Sequence, residues 1–155
     1  MTTDSKLSEH FWLSEFTASQ AATRAGLSNQ PESLDVLTNL IETAKLLEQV
    51  RTILGDKPIG VNSGYRSPEV NKSVGGVATS SHCKGCAVDF TCAPFGTPKQ
   101  ICAAIMSAKL TFDQLIYEGT WVHIAVAEPG KAPRNQVLTA VFKAGQGTTY
   151  LAGLV

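Results

Sequence analysis

From Ser80 to Asp89 the chain reads Ser80-Ser81-His82-Cys83-Lys84-Gly85-Cys86-Ala87-Val88-Asp89. An imidazole and a carboxylate stand seven residues apart in this segment, with a glycine between them that lets the backbone bend. Imidazole nitrogen and carboxylate oxygen are the donors that hold zinc for hydrolytic work, three from the protein and the fourth position left to water. A third donor of this kind stands in Trp121-Val122-His123-Ile124. The chain has three histidines, and the remaining one, His10, falls in an irregular N-terminal stretch. The candidate ligands for a single zinc ion are thus His82, Asp89 and His123.

Hydrolysis also needs a group to take the proton of the attacking water. If Asp113–Glu118 and Trp121–Val126 form a hairpin closed by Gly119-Thr120, Glu118 faces Trp121 and Ile116 faces His123. Opposed residues share a face of a sheet, and so do alternate residues along each strand, which brings Glu118 to the side of His123. Glu118 is thus the expected general base, with Asp113 or a residue beyond Val126 as the fallback and Trp121 as packing beside the site. Cys83-x-x-Cys86, taken with His82 and Cys92, offers two other readings, a structural zinc site or a redox pair. Structural zinc draws on two well-separated ligand pairs, and no second Cys-x-x-Cys or His-x-x-x-His follows.

The run Ser80-x-His82-x-x-Gly85-x-Ala87-x-Asp89 followed by Trp121-x-His123 resembles the zinc D-Ala-D-Ala carboxypeptidase and L-alanyl-D-glutamate endopeptidase family, whose fold is shared with the hedgehog signalling domain. Asn62-Ser63-Gly64-Tyr65-Arg66-Ser67 looks like that family's upstream signature, and Asp113-Gln114-Leu115-Ile116-Tyr117-Glu118 resembles the strand entering its last metal ligand. These motifs stand in the family's order across Pro58 to Val126. The resemblance implies His82, Asp89 and His123 as zinc ligands, Arg66 as the group that polarises the substrate carbonyl or binds the developing oxyanion, and Ser80 as a hydrogen-bonding partner of substrate. Both Cys83 and Cys86 occupy positions that the family motif leaves free. One departure stands out, because well-known members carry an acid three residues before the last ligand, where this chain has Thr120. The implied activity is zinc-dependent cleavage of amide bonds in peptidoglycan stem or cross-link peptides. Two alternatives keep the fold: a recognition or assembly module that binds zinc without catalysis, favoured by Thr120, and a cytosolic dipeptidase acting on free D-Ala-D-Ala.

To bring these groups together the chain needs a framework, and 155 residues with 43% hydrophobic content can build one domain with its own core. We expect one zinc peptidase domain over 1–155, helical over about 1–55 and site-bearing over about 56–155. Thirteen basic residues balance thirteen acidic ones, so there is no surplus to neutralise phosphates and nucleic acid is not expected as a partner. Residues Met1 to His10 lack the basic and apolar runs of a secretory signal, and no later run suits a membrane span. The expectation is a chain made in the cytoplasm without stable membrane insertion, acting at the bacterial cell wall. The resemblance adds a phage or prophage lysis protein, released to the wall by a separate membrane-permeabilising partner. In such a chain Cys83, Cys86, Cys92 and Cys102 are expected as reduced thiols.

Apolar positions Leu37, Leu40, Ile41, Ala44, Leu47, Val50, Ile53 and Leu54 recur at helical spacing, predicting a long helix from Leu34 that Gly55 ends. Before it, Leu13 to Gln20 reads as a short helix or turn packed by Phe11, Trp12 and Phe16, and Pro31 as a helix start behind Ser28 and Asn29 as caps. After it, Pro58–Ser63 and Cys86–Cys92 read as strands, Pro68–Val74 as a short helix or turn, and Pro98–Met106 as a helix. Val137–Phe142 is a later strand. The fold class is α+β: an antiparallel sheet carrying the zinc site, with helices packed mainly from the N-terminal half.

Overall fold

The computed structural model describes residues 3–155, so the N-terminal reading of Met1 and Thr2 lies outside the described residues. The long helix, α3, follows two short ones, α1 (Leu13–Thr17) and α2 (Gln20–Ala25), and spans Leu34–Ile53. Its start is set by Ser33, whose side chain accepts from the backbone N–H groups of Asp35 and Val36. Gly55 follows its end with φ +77°, a left-handed conformation that glycine adopts without strain. Leu40, Ala44, Leu47 and Val50 are fully buried along one face, as their spacing predicts.

The expected helix start at Pro31 is not formed, and Asn29 caps nothing. It is buried instead, its amide donating to the carbonyls of Thr17 (2.8 Å) and Tyr65 (2.9 Å) while its oxygen accepts from Ser67 N (2.8 Å). A buried amide with three bonds of this kind ties the N-terminal helices to the segment that carries Arg66.

Strands β1 (Gly60–Ser63), β2 (Ala87–Thr91), β3 (Gln114–Tyr117), β4 (Val122–Ala125), β5 (Gln136–Lys143) and β6 (Gly147–Ala152) form one sheet in the order β1-β2-β4-β3-β5-β6. Helix α4 (Pro68–Ser73) follows β1, and α5 (Pro98–Ser107) lies between β2 and β3. Pairing is antiparallel except between β3 and β5, so the all-antiparallel expectation is corrected at that one pair. The reason is where β4 stops: Ala125 ends level with Gln114, the start of β3. The returning chain then sets Gln136 beside Gln114 and runs along the free side of β3 in its own direction.

Val88, Phe90, Leu115, Val122 and Ile124 project from one face of the sheet into a core shared with Leu40, Leu47 and Val50 of α3 and Ile101 and Ile105 of α5. Helix α5 packs directly on β3 and β4, so the second half of the chain covers the sheet as well as the first. The opposite face is left for the chemistry. Among the described residues no helix is long and apolar enough to cross a membrane.

Candidate metal and catalytic site

One cross-strand row runs Ser63, Asp89, His123, Ile116, Leu138 through five neighbouring strands. Directly paired residues share a face, so Asp89 and His123 stand side by side on the face away from the core. The third group comes from outside the sheet. Ser81–Lys84 forms a single turn of 3-10 helix, opened by Ser80, whose hydroxyl oxygen accepts from His82 N at 3.3 Å. Gly85 closes the turn with φ +76° and lies against α3, where an added Cβ would fall 2.8 Å from the Val36 carbonyl oxygen. Gly85→Ala is therefore expected to destabilise the fold by about 1–3 kcal/mol, from the left-handed backbone and the contact together. A lower urea midpoint measures it, and an unchanged midpoint would show that the turn can shift away from α3.

Asp89 Oδ1 lies 3.3 Å from His82 Nε2 and 2.9 Å from His123 Nδ1. All three ligand atoms fall within 4.8 Å of one another, with both imidazoles buried and Asp89 half-buried. Burial by itself would raise the Asp89 pKa, but His82 first and then His123 outweigh it and hold the carboxyl well below its usual range. The donor set fits a zinc ion on one observation in particular. His82 Nδ1 is 2.7 Å from the carbonyl oxygen of Gly64, an acceptor only, so a neutral ring carries its proton there and turns the Nε2 lone pair toward the Asp89 carboxylate. A lone pair facing an anion calls for a cation, and a backbone carbonyl on the far nitrogen is the support that metal-binding imidazoles use.

The three groups open into a cavity of about 500 Å³ that is also lined by Arg66, Ser80, Glu118 and Trp121. Glu118 is where the hairpin places it: Ile116 pairs with His123, and Glu118 N donates to Trp121 O at 3.1 Å. Its carboxyl is pushed above the usual range by burial and by the charge of Asp89, with His123, the Trp121 N–H and Arg66 acting in the opposite sense. Thr120 is exposed on the turn and does not line the cavity. The fallback carboxylate, Asp113, is engaged by Arg134 through Nε (3.0 Å) and Nη2 (2.8 Å) and faces a different depression. Arg66 donates from Nη2 to Ser80 Oγ at 3.2 Å, and its Nε is buried with no partner among the described residues. Ser80 thus accepts from two donors and keeps its own proton free. The indole N–H of Trp121 is likewise buried and makes no well-formed hydrogen bond among the described residues. Leu138 and Tyr150, from β5 and β6, also line the cavity and were not anticipated.

All four cysteines are free thiols, as expected, and among the described residues none joins a metal-type cluster. Burial pushes Cys86 up to about 11 and Cys102 to about 12, which leaves both protonated and poor as ligands or nucleophiles. Cys83→Ser combined with Cys86→Ser is expected to keep full metal content and activity. Loss of metal from that double variant would revive the cysteine-rich site.

Over 51 residues the chain is 45% identical to the zinc D-Ala-D-Ala carboxypeptidase of Streptomyces albus G, a stretch that is 33% of this chain and 20% of that relative. The chain thus matches only a minor part of the relative's length. A longer match, to the family Peptidase M15, extends over residues 9–125 and ends just beyond His123. That span takes in Arg66, His82, Asp89, Glu118 and His123, together with every helix and the first four strands, and by it the chain belongs to the Peptidase M15 family.

Proposed function

We propose that the protein is a zinc peptidase that hydrolyses amide bonds in the stem or cross-link peptides of bacterial peptidoglycan. In this reading His82, Asp89 and His123 hold one zinc ion, Glu118 is the general base, and Arg66 with Ser80 receives the substrate carbonyl. The observation that carries it is the convergence of His82, Asp89 and His123 within 4.8 Å on a cavity that also presents Glu118 and Arg66. Family membership supports the peptidase, and the relative's name, which specifies both zinc and D-Ala-D-Ala, supports the metal and the class of substrate.

When bound, zinc supplies a Lewis acid that acidifies water and polarises an amide carbonyl. The chain's own residues do the remaining work. The Gly64 carbonyl fixes the His82 ring, and the Asp89 carboxylate balances positive charge at the centre. Glu118 takes a proton from the attacking water and returns it to the leaving amine, a task suited to a carboxylate whose proton affinity burial has increased. Arg66, seated by Ser80, offers N–H groups to the carbonyl oxygen as negative charge builds there.

Digestion of purified cell wall, with and without a chelator, tests this reading. New muropeptide products should appear by HPLC with zinc and vanish with the chelator. Release from free D-Ala-D-Ala alone would point to the dipeptidase, and no release under any zinc condition would point to a recognition module.

A further inference from the structure

The β5–β6 hairpin lies beyond the span matched by the family, yet it supplies one wall of the cavity. Its contributions are Leu138 and Tyr150, and the strand register shows how Tyr150 comes to the side of Glu118. Glu118 N donates to Trp121 O, placing these two residues opposite each other. Tyr117 pairs with Thr139, so the same parallel register carried one residue further sets Ala140 beside Glu118. Ala140 in turn pairs with Tyr150. Trp121, Glu118, Ala140 and Tyr150 therefore share one row and one face. Ala140 raises only a methyl group between Glu118 and Tyr150, so the tyrosine ring has a clear approach to the cavity. Partial burial and the charges of Glu118 and Asp89 push the phenol pKa up.

Arg66 enters the same cavity from the opposite edge of the sheet, where it follows β1, whereas Tyr150 belongs to β6 at the other edge. If the substrate carbonyl faces Arg66 and the leaving amine faces Glu118, the part of the substrate beyond the amine continues toward β6. We propose that Tyr150 is a specificity-determining residue that packs on the leaving-group side of the substrate and selects an amino acid with an aliphatic side chain there. The assignment rests on the hydrolytic reading given above. Leu138 and Ile116 supply the apolar floor, and the hairpin places no charged side chain in the cavity, so a charged side chain on the leaving residue would lose hydration without a partner on this wall.

The test uses the zinc-loaded protein and peptides with one acyl part but glycine, D-alanine or D-leucine as leaving residue. Tyr150→Ala should lower kcat/KM about 10-fold or more for the aliphatic leaving residues, mainly through KM, and leave glycine nearly unchanged. Tyr150→Phe keeps the ring and should keep the discrimination. Tyr150 is 51% exposed, so Ala should be tolerated; if melting temperature falls, Tyr150→Thr preserves strand propensity and serves instead. A loss that is equal for all leaving residues, no loss at all, or a Phe variant as impaired as Ala would each overturn the assignment. A wild-type protein that cleaves none of the peptides overturns the hydrolytic reading and this assignment with it, an outcome distinct from an active wild type that ignores Tyr150.

Discussion

His123→Ala should yield a folded protein that emerges from dialysis without zinc and hydrolyses nothing above background. His123 sits on β4, one strand from Asp89, and its imidazole is one of only three donors in the cluster. Removing it leaves two ligands, too few to hold the ion against water, so stoichiometry by metal analysis should fall from one per chain to near zero. The fold should survive because the neighbours Val122 and Ile124 face the core on the other side of the sheet and are untouched. Circular dichroism separates loss of metal from loss of structure. His82→Ala should behave in the same way, with the Gly64 carbonyl losing its donor as well. Stoichiometric zinc in His123→Ala would sink the ligand assignment.

Glu118→Gln should separate binding from chemistry. Glu118 is not a member of the three-residue cluster, so zinc content should stay at the wild-type value. Hydrolysis should fall by about 10² to 10⁴-fold, the range that a positioned acid–base group contributes. Glutamine keeps the shape of the side chain but cannot accept the proton of the attacking water. Among the described residues no nearby carboxylate is placed to replace it: Asp113 is held by Arg134 in another depression, and Asp89 is committed to the two histidines. Rates on purified muropeptides at neutral pH are the measurement, and activity within a few-fold of wild type would put the base elsewhere.

How much of this site could be read from the residues alone depends on the range of the interaction involved. The approach of Glu118 to His123 follows from a two-residue turn, since turn length sets the register of a hairpin and register decides which side chains share a face. The buried stripe of α3 is legible for a similar reason, because its period repeats over five turns of helix. The start of that helix was harder. Ser28, Asn29 and Ser33 are all capping residues by type, and only the tertiary contacts with Thr17, Tyr65 and Ser67 draw Asn29 into the interior and leave Ser33 as the cap.

By itself, then, the sequence determined the donor types, their order along the chain and the local turn that aligns Glu118 with His123. The tertiary structure alone decided what surrounds them: the seating of Arg66 on Ser80, the engagement of Asp113 by Arg134, and the parallel docking of β5 on β3. The last of these brings Leu138 and Tyr150 into the cavity. Strand β6 shows the physical reason most clearly. All six of its residues are exposed, so it carries no alternation of buried and exposed positions to read, and it is a strand only because β5 pairs with it. Pairing between strands is a non-local choice, made by the whole sheet rather than by the residues of either strand.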